Sequence, residues 1–127
     1  MNHPDIAPDV RRFVLTSIAS VPHMEALILL RSTSPACWNA RDLARRLYVA
    51  PAVATAVMAD LAAAGLLQQS GDAGYYYQPP DAALAAIVDK LAGLYATQLV
   101  AITVLIHSKL DRKAQQFADA FNLRKDS

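Results

Sequence analysis

Residues 39–67, NARDLARRLYVAPAVATAVMADLAAAGLL, decide how the chain is read. Asn39 is a residue type that caps helices, and Asp42 stands three residues on, near the positive end of the helix that follows. That helix is predicted over 40–47. It buries Leu43, Ala44 and Leu47 and exposes Arg41, Arg45 and Arg46. Tyr48-Val49-Ala50 is then too short for anything but a sharp turn, and Pro51 opens a second helix running to Ala64. Gly65 sits where a helix end favours a left-handed residue. Leu43, Leu47 and Val49 are placed to pack against Ala54, Met58 and Leu61, with the small Ala44 letting the helices approach.

Working outward, Leu66–Gln69 and Tyr75–Gln78 are candidate strands around a Gly71–Gly74 turn, and Pro79-Pro80 ends the hairpin. Alternation puts Tyr76 on the face opposite Tyr75 and Tyr77. Upstream, a helix over 9–20 carries Val10, Phe13, Val14, Ser17 and Ile18 on one face. Pro22 starts another to about residue 32, with Met24, Leu27, Ile28 and Leu30 inward. Downstream, one long helix is expected from about Asp81 to Ser108. Leu84, Ile87, Leu91, Leu94, Gln98, Ile102 and Leu105 follow three- and four-residue steps along it, as in a heptad seam. One small domain cannot cover both sides of so long an apolar helix, so a second copy is expected against it. Asp111 is read as the cap of a short last helix with Ala114, Phe117, Ala118 and Phe121 on one side.

The 127 residues carry twelve Lys and Arg against eleven Asp and Glu, so no global field draws the chain to nucleic acid or anionic lipid. Any nucleic-acid role needs a local patch. The single cysteine, Cys37, fits a reducing compartment and, beside Trp38, reads as a buried small residue. His3, His23 and His107 are scattered without ligand spacing, so neither a metal nor a cofactor is expected. No Gly-rich phosphate loop, nucleophile motif or close carboxylate pair is visible. Enzymatic activity is therefore the least expected class. The N-terminus reads without a secretory signal. The uncharged run from Leu91 to Ile106 is shorter than the ~20 residues a membrane span needs. A cytoplasmic protein with no membrane partner is expected.

The quoted stretch resembles the winged helix-turn-helix of bacterial transcription regulators such as the MarR and PadR groups. The resemblance rests on a polar cap at Asn39, the Leu43-Ala44 pair, Leu47, a β-branched turn residue at Val49, a second helix over 51–64, and Gly65-Leu66-Leu67. It covers about residues 22–78. It implies a mainly α fold with a small β-hairpin: a winged helix-turn-helix with a long C-terminal dimerisation helix. The corresponding organisation is 1–21 as an N-terminal helix or dimerisation arm, 22–80 as the winged domain, and 81–127 as the long and short C-terminal helices. It further implies a homodimeric DNA-binding regulator whose second helix enters a major groove while the wing touches the backbone or minor groove. The DNA-facing residues would be Asn39, Arg41, Ala52, Val53, Thr55, Ala56, Ala59 and Tyr76. Leu84, Ile87, Leu91, Leu94, Gln98, Ile102 and Leu105 would join the two copies.

The second helix departs from that pattern, because it has no Lys, Arg, Asn or Gln. Thr55 can hydrogen-bond a base or phosphate and Val53 can meet a thymine methyl. The wing has no basic residue and one acid, Asp72. Phosphate contact would fall to Arg41, Arg45 and Arg46, which taken alone read as a solvated helix face. The same lack of charge suits a protein-interaction module, an adaptor or antagonist of another regulatory protein, which would use Ala52, Val53, Ala56, Val57 and Tyr75 or Tyr76. A third reading is a ligand-responsive regulator, with Trp38 and the long helix lining a pocket.

Overall fold

A computed structural model describes residues 6–108. Its elements in order are α1 (Pro8–Ser17), α2 (Val21–Ser32), α3 (Ala40–Leu47), α4 (Pro51–Ala63), β1 (Leu67–Gln69), β2 (Tyr75–Tyr77) and α5 (Ala82–Thr97). A sixth helix, α6, spans Leu99–Ser108. The expected helix over Asp111 and Phe117–Phe121 lies outside the described residues.

Local chemistry sets most of the boundaries. Pro8, Pro51 and the Val21-Pro22 pair stand in first turns, where a missing N–H costs nothing. Ser20, Asn39 and Asp81 accept from the backbone N–H groups of His23, Asp42 and Leu84, which would otherwise be unpaired. Gly65, at φ 86°, ends α4 in the left-handed region. α1 stops at Ser17, three residues short of expectation, because Ser20 is already extended to cap α2.

β1 and β2 pair antiparallel, with Leu67 opposite Tyr77, Gln68 opposite Tyr76 and Gln69 opposite Tyr75. Trp38 adds itself to the free edge of β2. Its N–H donates to the Tyr75 carbonyl (2.8 Å) and its carbonyl accepts from the Tyr75 N–H (2.9 Å). The hairpin is thus fastened to the residue just before the α3 cap. Gly74, at φ 114°, is required there, since a β-carbon would overlap the Trp38 carbonyl.

α1, α2, α3, α4, α5 and α6 all contribute to one core. Val10, Phe13, Val14 and Ile18 meet Met24, Leu27 and Leu30, Leu43 and Ala44, Ala54, Met58 and Leu61, then Val88, Leu91, Ile102 and Ile106. α1 packs on α5, and α4 packs on α2, α3 and β1. Lys90 of α5 donates to Asp9 of α1 at 3.0 Å. That bond holds the Asp9 carboxyl below the usual carboxylate range. Arg31 of α2 donates to Asp89 of α5 at 2.8 Å.

The single long helix expected over 81–108 is corrected. The chain leaves helical geometry at Gln98 (φ −132°, ψ 48°), and α6 turns back at 112° to α5. Thr97 prepares the break by donating its hydroxyl to the Gly93 carbonyl, a local bond that bends helices. The driving force is burial. Turning α6 back places Ile102, Leu105 and Ile106 in the chain's own core, each contributing roughly 1.5–3 kcal/mol, where a straight helix without a partner would hold them in water. The expected seam is therefore not one stripe. Leu91, Ile102 and Leu105 are internal, Leu84, Ile87 and Leu94 are half-buried against the core, and Gln98 is the break itself. Cys37, expected inside, is exposed because it lies in the loop before the Trp38 bridge. No single helix among the described residues is long and apolar enough to cross a membrane.

Candidate nucleic-acid interface

α3 and α4 meet at 107° across the turn Tyr48-Val49-Ala50. Leu43 and Ala44 of α3 and Ala54, Val57, Met58 and Leu61 of α4 point inward, and this fixes what the two helices show outward. On α4 the exposed residues are Pro51, Ala52, Val53, Thr55, Ala56, Ala59, Asp60 and Ala63. All five α4 residues expected to face a partner are thus exposed, Val53 at 41%. The Thr55 hydroxyl donates to the Pro51 carbonyl at 3.0 Å, leaving its oxygen as an acceptor only.

Arg41, Arg45 and Arg46 are exposed on α3. The ion pairs among the described residues are His23–Asp60, Arg31–Asp89 and Lys90–Asp9, so none of these three guanidinium groups is neutralised there. Asn39 is exposed, but its Oδ1 already accepts from Asp42 N–H at 2.8 Å. Its part is to start α3 and so to aim Arg41. Tyr76 is half-buried on β2. Tyr75 and Tyr77 pack against the core, which leaves Tyr76 on the other face of the hairpin. The anticipated residues of α3 and α4 are therefore exposed, and Tyr76 is half-buried on the hairpin. Besides the α3 arginines, the charges on these elements are acids: Asp42 on α3, Asp60 on α4 and Asp72 in the exposed turn of the hairpin.

Two features escaped the sequence. The first is a hydrogen-bonded chain from α2 to α4. His23 is buried; its Nδ1 lies 2.6 Å from Ser20 Oγ and its Nε2 lies 2.8 Å from Asp60 Oδ2. With the ring proton on Nε2, His23 donates to Asp60 and accepts from the Ser20 hydroxyl, while Ser20 Oγ accepts from the His23 backbone N–H. These residue types also build nucleophilic relays. Here, however, the carboxylate is 61% exposed rather than buried behind the imidazole, and the serine is a helix cap. The chain ties α4 to the start of α2. The second feature is Tyr48, a non-glycine residue at φ 58°, whose only sequence signal is a bulky residue where helix ends favour glycine.

An open cleft of about 320 Å³ is lined by Glu25, Ile28, Leu29 and Ser32 of α2, Arg46 and Leu47 of α3, and Tyr95 of α5, so Arg46 borders this cleft. Burial, followed by the Glu25 carboxylate, raises the Tyr95 phenol above its usual range. Trp38, expected to line a pocket, instead donates its indole N–H to Thr33 Oγ1 at 2.9 Å. No group of three or more His, Cys, Asp or Glu capable of holding a metal occurs among the described residues. No family model, curated protein or solved structure matches the chain.

Proposed function

We propose that this protein is a DNA-binding transcriptional regulator of the winged helix-turn-helix kind, acting without catalysis and without a cofactor. In this reading α3 and α4 form the helix-turn-helix, α4 enters the major groove, and the β1–β2 hairpin is the wing. One observation carries the reading. The outer face of α4 is open along Ala52, Val53, Thr55, Ala56 and Ala59, and α3, joined to it by a three-residue turn, exposes Arg41 and Arg45 without ion-pair partners among the described residues. The arginines supply phosphate affinity. Thr55 and Val53 supply modest base preference through an acceptor and a methyl contact. The protein works as a homodimer in the cytoplasm. Its second copy is met along the outer side of α6, where Leu99, Val100 and Val104 are exposed.

The test is fluorescence anisotropy of labelled duplexes at rising salt. Binding weakens steeply with salt, and Arg41→Ala with Thr55→Ala lowers affinity about tenfold or more. A wild-type protein that binds no duplex at low salt contradicts the proposal.

The absence of cations from α4 and the hairpin favours a second reading, a winged-helix module that docks another regulatory protein on the same face. Stoichiometric capture of one protein, lost in Val53→Glu, together with no duplex binding, selects it.

A further inference from the structure

Tyr48 holds a backbone conformation that its side chain disfavours, and it recovers nothing by packing. It ends α3 at φ 58° and ψ 45°, where a β-carbon crowds the chain and glycine is favoured. Its side chain is 94% exposed, so the ring is spent on no internal contact. Strained backbone carrying an unburied aromatic ring marks a group presented to something outside the fold.

The surroundings say what that something is. Arg41 and Arg45 are four residues apart, the spacing of one edge of α3, and Tyr48 follows at the left-handed position that ends the helix. Both arginines are exposed and without ion-pair partners among the described residues. Four helical residues advance about 6 Å, whereas one DNA strand presents a phosphate about every 3.4 Å of axis. The two guanidinium groups therefore reach different phosphates rather than compete for one. Beyond Tyr48 the chain turns directly into α4, so Tyr48 lies in the short turn that joins the cationic helix to the groove-facing one.

We propose that Tyr48 is an anchor on the DNA backbone: its ring lies on a deoxyribose, its hydroxyl donates to a phosphate, and it sets the register in which α4 enters the groove. This rests on the DNA-binding reading above. A protein partner would also favour Tyr and Arg, but two cations without ion-pair partners among the described residues and an exposed hydroxyl donor at the end of the same helix match phosphates more closely.

The experiment compares wild type, Tyr48→Phe and Tyr48→Gly. Each is measured by thermal melting and by anisotropy against a fluorescein-labelled random-sequence duplex at several salt concentrations. Tyr48→Gly is expected to melt several degrees higher, because the strain is relieved, yet to bind at least tenfold more weakly. Tyr48→Phe keeps the wild-type melting temperature and takes most of that loss, about tenfold, the effect of one hydrogen bond to a charged group. The salt dependence stays as in wild type for both, since no charge is removed, whereas Arg45→Ala lowers it. Wild-type affinity in Tyr48→Gly overturns the anchor and leaves the DNA reading standing. A fall in both melting temperature and affinity for Tyr48→Gly, with Tyr48→Phe unaffected, overturns it as a structural role. Absence of duplex binding by the wild type overturns both, and leaves a protein as the occupant of this edge.

Discussion

At Gly74 the hairpin and the segment before α3 come so close that a β-carbon would run into the Trp38 carbonyl, and the backbone there is left-handed as well. Gly74→Ala must therefore open the paired Trp38–Tyr75 hydrogen bonds or force the turn. A loss of about 3 kcal/mol or more is expected in urea unfolding. Tyr77 shows the opposite balance. Its hydroxyl is buried without a partner among the described residues, and burial, followed by the Asp89 carboxylate, raises the phenol above its usual value, with Arg31 opposing. A raised value in the folded state means that the neutral form is favoured. The contribution is whole below about pH 10 and is lost as pH climbs through the folded value. Tyr77→Phe removes an unpaired polar atom, so it should be neutral or stabilising by up to about 1 kcal/mol and should flatten the alkaline part of that pH profile. The Asn39 cap, the opening Pro51 and the left-handed Gly65 were legible in the sequence because each acts within three or four residues of itself. The closeness of Gly74 to Trp38 was not, because it joins positions 36 apart that only the folded hairpin brings together.

Among the elements, α4 is held on its inner face by apolar packing and at Asp60 by the His23 bond that runs back to the cap of α2. His23→Ala removes that bond and leaves space where the buried imidazole stood. It should cost about 2 kcal/mol by denaturant unfolding and, on the proposed reading, weaken duplex binding, because α4 is then less firmly aimed. Nothing in the spacing of His23 and Asp60 announces the pair, since they are 37 residues apart on different helices. The bend at Gln98 was hidden for another reason. Three- and four-residue apolar steps describe equally a straight helix seated on a partner and a broken helix folded onto its own core. Both bury Leu91, Ile102 and Leu105. What distinguishes them is the outside of α6, where Val100 is 73% and Val104 is 59% exposed. If two copies meet there, Val100→Asp with Val104→Asp lowers the mass seen in light scattering and leaves the fold intact. A monomeric wild type would remove the dimer.

For the molecule as a whole, the uneven distribution of charge matters more than the near-zero total. Twelve cations and eleven carboxylates nearly cancel, yet Arg41, Arg45 and Arg46 stand without ion-pair partners among the described residues, beside a helix face with no cation of its own. On the proposed DNA-binding reading, such a surface would draw its affinity from the arginines and its preference from the α4 face. Its binding should therefore be salt-sensitive but only weakly selective among sequences. The measurement that tests this most directly is a nuclear magnetic resonance titration of the isotope-labelled protein with a duplex at low salt, following each backbone amide. Shifts concentrated at residues 39–41, 45, 48, 52–59 and 76, with α1 and α5 silent, are the predicted result. Shifts gathered on α1, α5 or α6, or no shift at all, would contradict it.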